Sequence, residues 1–393
     1  MYQKLQFIAY EINTAPSYVG FKRQYLGLPS DFNDIAARIR WTKEVLTQAT
    51  AKAEKSSDTM KVFMIPEFYF RGINGAYEMG TIDLLITGLQ NLVSGAEWKD
   101  WLFIFGSMIG TAAATKDAEE LATTGNLHDD PAVGTAIDPE AQREVYNVAL
   151  VQKGGWSANS SVALDKMTPD QRNTALDGTT FATMKEYKSP VDFIRIAKIQ
   201  GNRGFVWERV MHLDRLGGPS SDSVVTGREE RFVDYDGSCL FAMDGIQFGL
   251  EICLDHANQR LKNAPRPAGS PKVQIQLVPS CGLQLWDSAM VAMAGGYGFN
   301  VDGNFTDEDN FATSARSELR VVDTEASLLN PNATLDPNNS PRDIVPVRAL
   351  PDLDNTTLYA WGTGQLSIYK AVDVPVQGSS LSSETGECRP RRR

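Results

Sequence analysis

The segment 247–256, with the sequence Gln-Phe-Gly-Leu-Glu-Ile-Cys-Leu-Asp-His, constrains this chain more than any other. An apolar stretch of strand character ends at Cys253, and a polar segment of helical character follows at once. A sulfur at such a turn lies beside the N–H groups of a helix start, which stabilise negative charge. The pattern therefore favours a thiol nucleophile at Cys253. The alternative is a structural cysteine, because free cysteine is among the most buried residue types.

Hydrophobic periodicity predicts that strands and helices alternate through the first part of the chain. Predicted strands cover 4–11, 61–65 and 101–110, and predicted helices begin at Ser30 or Asp31 and cover 81–98. Later strands are predicted at 231–236, 238–243, 246–253, 273–279 and 358–369, with a helix at 286–295. This order indicates an α/β sandwich in which helices lie outside two sheets.

Two segments interrupt the pattern and are predicted to be insertions, 111–142 and 169–227. Between them, strands at 145–152 and 161–166 form a predicted hairpin across Gly154 and Gly155. One domain is expected over 1–375. The Ser- and Gly-rich residues 376–393 are expected to form a flexible tail.

Composition excludes several classes of function. A net charge of −11 argues against nucleic acid as a partner, since a phosphate-binding face needs clustered Lys and Arg. The four cysteines are too scattered for a disulfide framework or a zinc site, and the three histidines are isolated. No metal or other cofactor is therefore expected. No run approaches the ~20 apolar residues that cross a bilayer, and the first ten residues lack the features of a signal peptide. A soluble cytoplasmic protein without a membrane partner is the expectation.

Three predicted strands end in groups that could react together. Glu67 follows Pro66 after one apolar run, Lys166 ends another, and Cys253 ends a third. A carboxylate screened from water can accept a thiol proton. An ammonium lowers the thiol pKa from its usual value of about 8.5 and stabilises an oxyanion. A thiolate can then attack a carbonyl or nitrile carbon, with no histidine required.

These motifs, in this order, resemble those of the nitrilase, or carbon–nitrogen hydrolase, superfamily. The first motif is an apolar strand that ends in Pro66-Glu67. In the second, Asn147 begins a strand and Lys166 ends its partner strand after a Gly-Gly turn. In the third, Gly249 precedes Cys253-Leu254-Asp255. Val278-Pro279-Ser280 and the segment 362–369 resemble the strands that follow. The resemblance covers most of residues 1–375.

The resemblance implies a four-layer α-β-β-α sandwich that is at least dimeric. It makes Glu67 the general base, Lys166 the oxyanion-stabilising cation and Cys253 the nucleophile, with the backbone N–H of Leu254 as a second oxyanion donor. The implied substrate is a small amide, since nitrile-hydrolysing members more often carry Trp-Glu after the cysteine. Nitrile hydrolysis and a catalytically inactive binding relative are the alternatives.

The chain departs from the family pattern in places. Leu254 stands where an aromatic residue is usual, and both insertions are longer than typical. Lys185 and Lys188 compete with Lys166, although neither follows an evident strand. Glu186 and Glu208 are candidates for the second glutamate that many members carry. Cys281 and His256 are interpreted as structural or hydrogen-bonding residues, and Asp255 as a helix cap. The choice among the lysines and the choice between the two glutamates stay open at the level of sequence.

Overall fold

The computed structural model describes residues 2–19, 22–113, 143–158, 160, 162, 164–187, 195–199, 205–209, 239–264, 269–304, 316–327, 329–360 and 362–377. Its α-helices are α1 Asp31–Lys52, α2 Met79–Leu92, α3 Pro169–Leu176, α4 Leu254–Ala257 and α5 Arg260–Asn263. Within these ranges no helix is both long enough and apolar enough to cross a membrane.

The strands form two principal sheets. In chain order they are β1 Lys4–Glu11, β2 Ser17–Val19, β3 Lys22–Gln24, β4 Thr59–Met64, β5 Tyr77–Glu78, β6 Trp101–Ala113, β7 Arg143–Lys153, β8 Thr180–Met184, β9 Arg195–Ile199, β10 Phe205–Arg209, β11 Leu240–Met243, β12 Ile246–Leu250, β13 Val273–Ser280, β14 Ala292–Asp302, β15 Arg316–Thr324, β16 Thr334–Leu335, β17 Arg342–Pro346, β18 Gln365–Tyr369 and β19 Val372–Asp373. The first sheet has the order β17-β18-β1-β4-β6-β7-β8, with β19 beside β1 and β5 beside β6. The second has the order β11-β12-β13-β14-β15-β16, and β2–β3 and β9–β10 are separate two-stranded ribbons.

Both sheets have a parallel centre. β1, β4 and β6 run parallel in the first sheet, and β12, β13 and β14 run parallel in the second. Parallel strands are buried on both faces, which explains their continuous apolar runs. Their carboxyl ends lie at one edge of each sheet, so the residues that follow β4 and β12 can meet.

The core lies in two layers, one on each face of the first sheet. On one face, α1 and α2 bury Trp41, Leu85 and Leu89 against the sheet. On the other face, the two sheets pack directly, and the rings of Phe7 and Phe299 lie 5.0 Å apart between centroids. The described residues therefore form a mixed α/β structure with a helix layer and two packed sheets.

Leu261 of α5 covers the far face of β12. A Cβ at Gly249 would collide with the end of the Leu261 side chain, so glycine allows this close approach without displacing Leu261. Within the described ranges, the helices on this outer face of the second sheet are the one-turn helices α4 and α5. The complete four-layer sandwich stays a prediction.

Several elements follow the sequence prediction closely. The predicted strand 4–11 is confirmed, and the strands predicted at 61–65, 101–110 and 273–279 correspond to β4, β6 and β13 with small shifts of their ends. The helix predicted at 81–98 is α2 followed by a short 3₁₀ helix, Ala96–Trp98. Residues 231–236, 114–142 and 378–393 lie outside the described residues.

The helix predicted at 286–295 is wrong. A single 3₁₀ turn, Asp287–Ala289, is followed by strand β14. A Cβ at Gly296 would stand 2.6 Å from the carbonyl oxygen of Gln274, because β14 lies close against β13 at this point. Sheet pairing on both sides of β14 overrides the local helical pattern.

The predicted hairpin between 145–152 and 161–166 is also wrong. β7 pairs with β8, and the described residues within 161–166 include the 3₁₀ helix Leu164–Lys166. The predicted insertion 169–227 contains α3, β8 and the β9–β10 ribbon. α3 begins at a capping box in which Thr168 and Gln171 exchange hydrogen bonds.

Candidate active site

Glu67 lies at the carboxyl end of β4 and is completely buried. Its backbone N–H donates to the carbonyl of Ser280 at 3.3 Å, and its own carbonyl accepts from the Thr14 hydroxyl at 2.6 Å. The first bond joins the end of β4 to β13 of the second sheet, and the second joins it to the segment that follows β1. A buried carboxylate needs hydrogen-bond partners to hold a charge.

Two side chains supply those partners at one oxygen of Glu67. Lys185 Nζ lies 2.8 Å from Oε1, and Asn147 Nδ2 donates to the same atom at 2.9 Å. Lys185 is also completely buried, so the pair is a desolvated salt bridge. The Phe68 ring lies 5.5 Å from Lys185 Nζ, measured to its centroid. Asn147, which sequence reasoning took only as a strand start, is therefore part of the site.

The structure does not bring Lys166 to this site. It is the exposed last residue of a 3₁₀ helix, while the buried lysine beside Glu67 is Lys185. The reason is the pairing of β7. After Lys153 the chain is at the far end of the sheet, and β8 returns antiparallel to it, with Met184 opposite Val148. Lys185 thus ends the strand that pairs with the Asn147 strand, as the second motif requires. The structure thus brings Lys185 to Glu67 in place of the predicted Lys166.

A bulge in β6 accommodates the turn at Glu67. The β6–β7 register shifts between Ile104 and Ser107, and Gly106 has a φ of +62°. A Cβ at Gly106 would collide with the carbonyl oxygen of Pro66, so only glycine fits. The next residue, Ser107, accepts the Phe68 N–H on its hydroxyl at 3.0 Å. Such bulges are common beside active sites.

Cys253 lies at the turn between β12 and α4, as the sequence predicts. Its φ of 49° and ψ of −107° lie in a region that is rare for a residue with a side chain. Such backbone costs about 1–3 kcal/mol and concentrates at functional sites. The Cys253 N–H donates to the carbonyl of Pro279 at 3.1 Å, next to the Ser280 carbonyl that receives the Glu67 N–H. The end of β13 therefore aligns the cysteine with the glutamate.

The surroundings of Cys253 favour the protonated form of its thiol. Burial raises its pKa well above the ordinary value, and the Glu67 charge raises it further. The Lys185 ammonium and a hydrogen bond from the Cys281 backbone act in the opposite direction. The resting thiol is therefore protonated at neutral pH, and reaction requires a base. Glu67 is the carboxylate whose charge reaches this thiol.

Leu254 begins α4 directly after Cys253, so its backbone N–H lies in the first turn of that helix. Cys281 is buried beside the site, where burial raises the pKa of its thiol well above the ordinary value.

His256 is buried and forms contacts at both ring nitrogens. Nε2 accepts the Trp286 N–H at 3.1 Å, so the proton lies on Nδ1, which contacts Glu251 at 2.7 Å.

The expected cap role of Asp255 is wrong. The N-cap residue of α4 is Cys253, without a side-chain cap bond, and the Asp255 carboxylate instead accepts from the backbone that follows Lys185. Of the two candidate second glutamates, Glu186 forms an ion pair with Arg260 at 3.1 Å. The side chain of Glu208, like Lys188, lies outside the described residues.

Comparison with known proteins gives similarity only at the level of structure. No protein-family model and no curated protein matches this sequence. Among solved structures, the chain is similar to Saccharomyces cerevisiae Nit3, a member of branch 10 of the nitrilase superfamily. That match has 11% identity and a TM-score of 0.37, over 94% of this chain and 90% of the other.

A carbon-nitrogen hydrolase from Helicobacter pylori matches with 10% identity and a TM-score of 0.35, over 95% of this chain and 90% of the other. An amidase from Nesterenkonia sp. matches with 10% identity and a TM-score of 0.33, over 95% and 92%. Nit3 and a Nesterenkonia amidase are nitrilase-superfamily proteins. This is the superfamily that the sequence motifs resemble.

Proposed function

We propose that this protein is a carbon–nitrogen hydrolase in which Cys253 is the nucleophile, Glu67 the general base and Lys185 the oxyanion-stabilising cation. The observation that carries the proposal is the buried Lys185–Glu67 pair, with Nζ 2.8 Å from Oε1, beside a thiol on which both charges act. A buried ion pair is weak evidence for stability. Perturbed ionisable groups that converge on a thiol are typical of functional sites.

The reaction follows from these three groups. Glu67 takes the proton of the Cys253 thiol, and the sulfur attacks the substrate carbonyl carbon. Lys185 and the Leu254 N–H stabilise the oxyanion of the tetrahedral intermediate. Glu67 then returns the proton to the departing nitrogen, the C–N bond breaks, and a thioester remains. Glu67 next deprotonates a water that attacks the thioester. The C–S bond breaks, the carboxylic acid leaves, and the proton returns to Cys253.

Amides are the proposed substrates, as the resemblance of the Cys-x-Asp motif implies. Nitriles are the second candidate, because a thiolate attacks a nitrile carbon to give a thioimidate. A homodimer acting on small molecules is the proposed working form.

Intact-mass spectrometry tests the proposal. The protein is mixed with a panel of small amides, carbamoyl compounds and nitriles, and both the adduct mass and ammonia release are followed. An amidase forms an acyl adduct on the Cys253 peptide and releases ammonia, and Cys253→Ala forms no adduct. If an adduct forms only with nitriles and has the mass of a thioimidate, nitrile hydrolysis is favoured.

Thiol alkylation separates an enzyme from an inactive binding relative. Cys239 is a suitable internal reference, because it is buried, contacts the Thr183 hydroxyl and has a pKa that burial raises to about 12. We expect iodoacetamide to modify Cys253 well before Cys239, as measured by peptide mapping. Equal rates at the two thiols, together with no adduct from the panel, would overturn the proposal.

A further inference from the structure

The backbone around Lys185 is attached to the helix segment that follows Cys253. Asp255 Oδ1 accepts the N–H of Glu186 at 2.9 Å and the N–H of Tyr187 at 2.8 Å. These are the two residues directly after Lys185. Asp255 is completely buried, so its carboxylate depends on these donors for solvation.

Arg260 completes the attachment from the other side of Lys185. Its Nη1 lies 2.9 Å from Asp255 Oδ2 and also donates to the carbonyl of Met184, the residue directly before Lys185. Its Nε lies 3.1 Å from Glu186 Oε2. One guanidinium therefore contacts the carboxylate anchor and both neighbours of the lysine, which suits its planar fork of donors.

The Lys185 backbone itself is joined to the Asn147 strand. Its N–H donates to the Asn147 carbonyl at 2.8 Å, and the Asn147 side chain donates to Glu67. The ammonium is thus placed from two directions. One is the sheet that carries Glu67, and the other is the turn that carries Cys253.

We propose that Asp255 and Arg260 are positioning residues that set the place of the Lys185 ammonium relative to the Cys253 sulfur. The inference rests on the proposed function, in which both groups react with one substrate. The spacing of the Cys-x-Asp motif then has a physical reason. Two residues of one tight turn carry the nucleophile and the anchor of the lysine, so a displacement of either moves both. The pKa of Asp255, which burial raises to about 6 against the effect of Arg260, leaves the carboxylate ionised at neutral pH.

The first test is Asp255→Asn. Asparagine has nearly the same size as aspartate. Its NH2 group, however, would face the N–H donors that the Asp255 carboxylate accepts from, which are those of Glu186, Tyr187 and Arg260. We expect kcat for the best amide to fall by a factor on the order of 10–10², since a misplacement of about 1 Å costs that much. KM should change little, because the proposal has both residues act only through the position of Lys185. In a Lys185→Met background, Asp255→Asn should cause almost no further loss, since the anchored group is then absent.

Asp34→Asn is the matched control. Asp34 is also completely buried and pairs with Arg38 at 2.7 Å, but it lies on α1. This variant should lower the melting temperature while leaving kcat near the wild-type value. If Asp255→Asn does not fold, Arg260→Lys replaces it, since an ammonium cannot contact the Met184 carbonyl, Asp255 and Glu186 together. For Arg260→Lys we expect a smaller fall in kcat than for Asp255→Asn.

A substrate-independent measurement separates this inference from the proposed function. The rate of Cys253 alkylation by iodoacetamide depends on Lys185, whose charge lowers the thiol pKa. The rate should fall several-fold in Asp255→Asn and Arg260→Lys, as expected for lost thiolate, and stay unchanged in Asp34→Asn. An equal loss with and without Lys185 would show that Asp255 acts on stability alone, and unchanged alkylation would overturn the inference. Absence of amide turnover in the wild type would count against the proposed function only.

Discussion

The N–H of Glu67 donates to the carbonyl of Ser280 at 3.3 Å, across the boundary between the two sheets. The neighbouring carbonyl, that of Pro279, accepts the N–H of Cys253 at 3.1 Å. Two adjacent peptide groups of β13 therefore hold the carboxylate turn of one sheet against the thiol turn of the other. The site therefore depends on how the two sheets pack.

Cys253→Ala should abolish turnover and leave the fold intact. The side chain lies at a turn and is 5% exposed, so the loss of one sulfur changes packing little. Amide turnover and the melting temperature are measured together. Cys239→Ala is the control, since it removes an equally buried thiol and should keep activity. Wild-type turnover in Cys253→Ala would exclude this residue as the nucleophile.

Lys185→Met and Lys166→Met should differ sharply. Loss of an oxyanion donor costs a factor on the order of 10²–10³ in rate, so Lys185→Met should reduce kcat by that amount. It should also lower stability, by about 3–5 kcal/mol, because Glu67 then loses its buried cation. Lys166 is exposed, and Lys166→Met should change neither quantity. Kinetics and urea denaturation of both variants decide this, and equal activity of the two would contradict the assignment of Lys185.

Glu67→Gln should slow both halves of the reaction. The proposed base accepts the thiol proton in acylation and the water proton in thioester hydrolysis. Rapid-mixing mass spectrometry follows the rise and decay of the acyl adduct separately. A variant that acylates at the wild-type rate would show that another group deprotonates Cys253.

Gly106→Ala should lower stability and activity together. Positive φ costs a residue with a side chain about 1–3 kcal/mol, and the new Cβ would also collide with the Pro66 carbonyl that precedes Glu67. Gly178 is the control, because its φ is +66° but a Cβ there meets nothing within 4 Å. Thermal unfolding should show a larger loss for Gly106→Ala than for Gly178→Ala, with a fall in kcat only for the former. The same loss in both would mean that the bulge does not position Glu67.

Prolonged dialysis against EDTA should leave amide turnover unchanged. The proposed steps use only a thiol, a carboxylate and an ammonium, and in the described ranges no three His, Cys, Asp or Glu side chains lie close enough to hold a metal ion. Activity before and after dialysis is compared with and without added zinc. A loss that zinc restores would overturn the mechanism.

The sequence by itself determined the elements whose signals are local. The apolar run before Pro66-Glu67 and the run before Cys253 predict strands that end in reactive groups, and both groups lie at strand ends in the structure. The strand at Lys4–Glu11 was predictable for the same reason, since seven of its eight residues are buried. Short-range periodicity reports burial directly.

Only the tertiary structure decided which lysine joins the site. The sequence favours Lys166, because it ends a predicted strand and Lys185 follows no evident one. Lys185 reaches Glu67 because β8 pairs with β7 across the intervening α3, a contact between residues far apart in the chain. Likewise, Asp255 has the local signature of a helix cap, yet its partners are the N–H groups of Glu186 and Tyr187. Strand pairing and burial at long sequence separation set these contacts, and a single sequence carries no local signal for them.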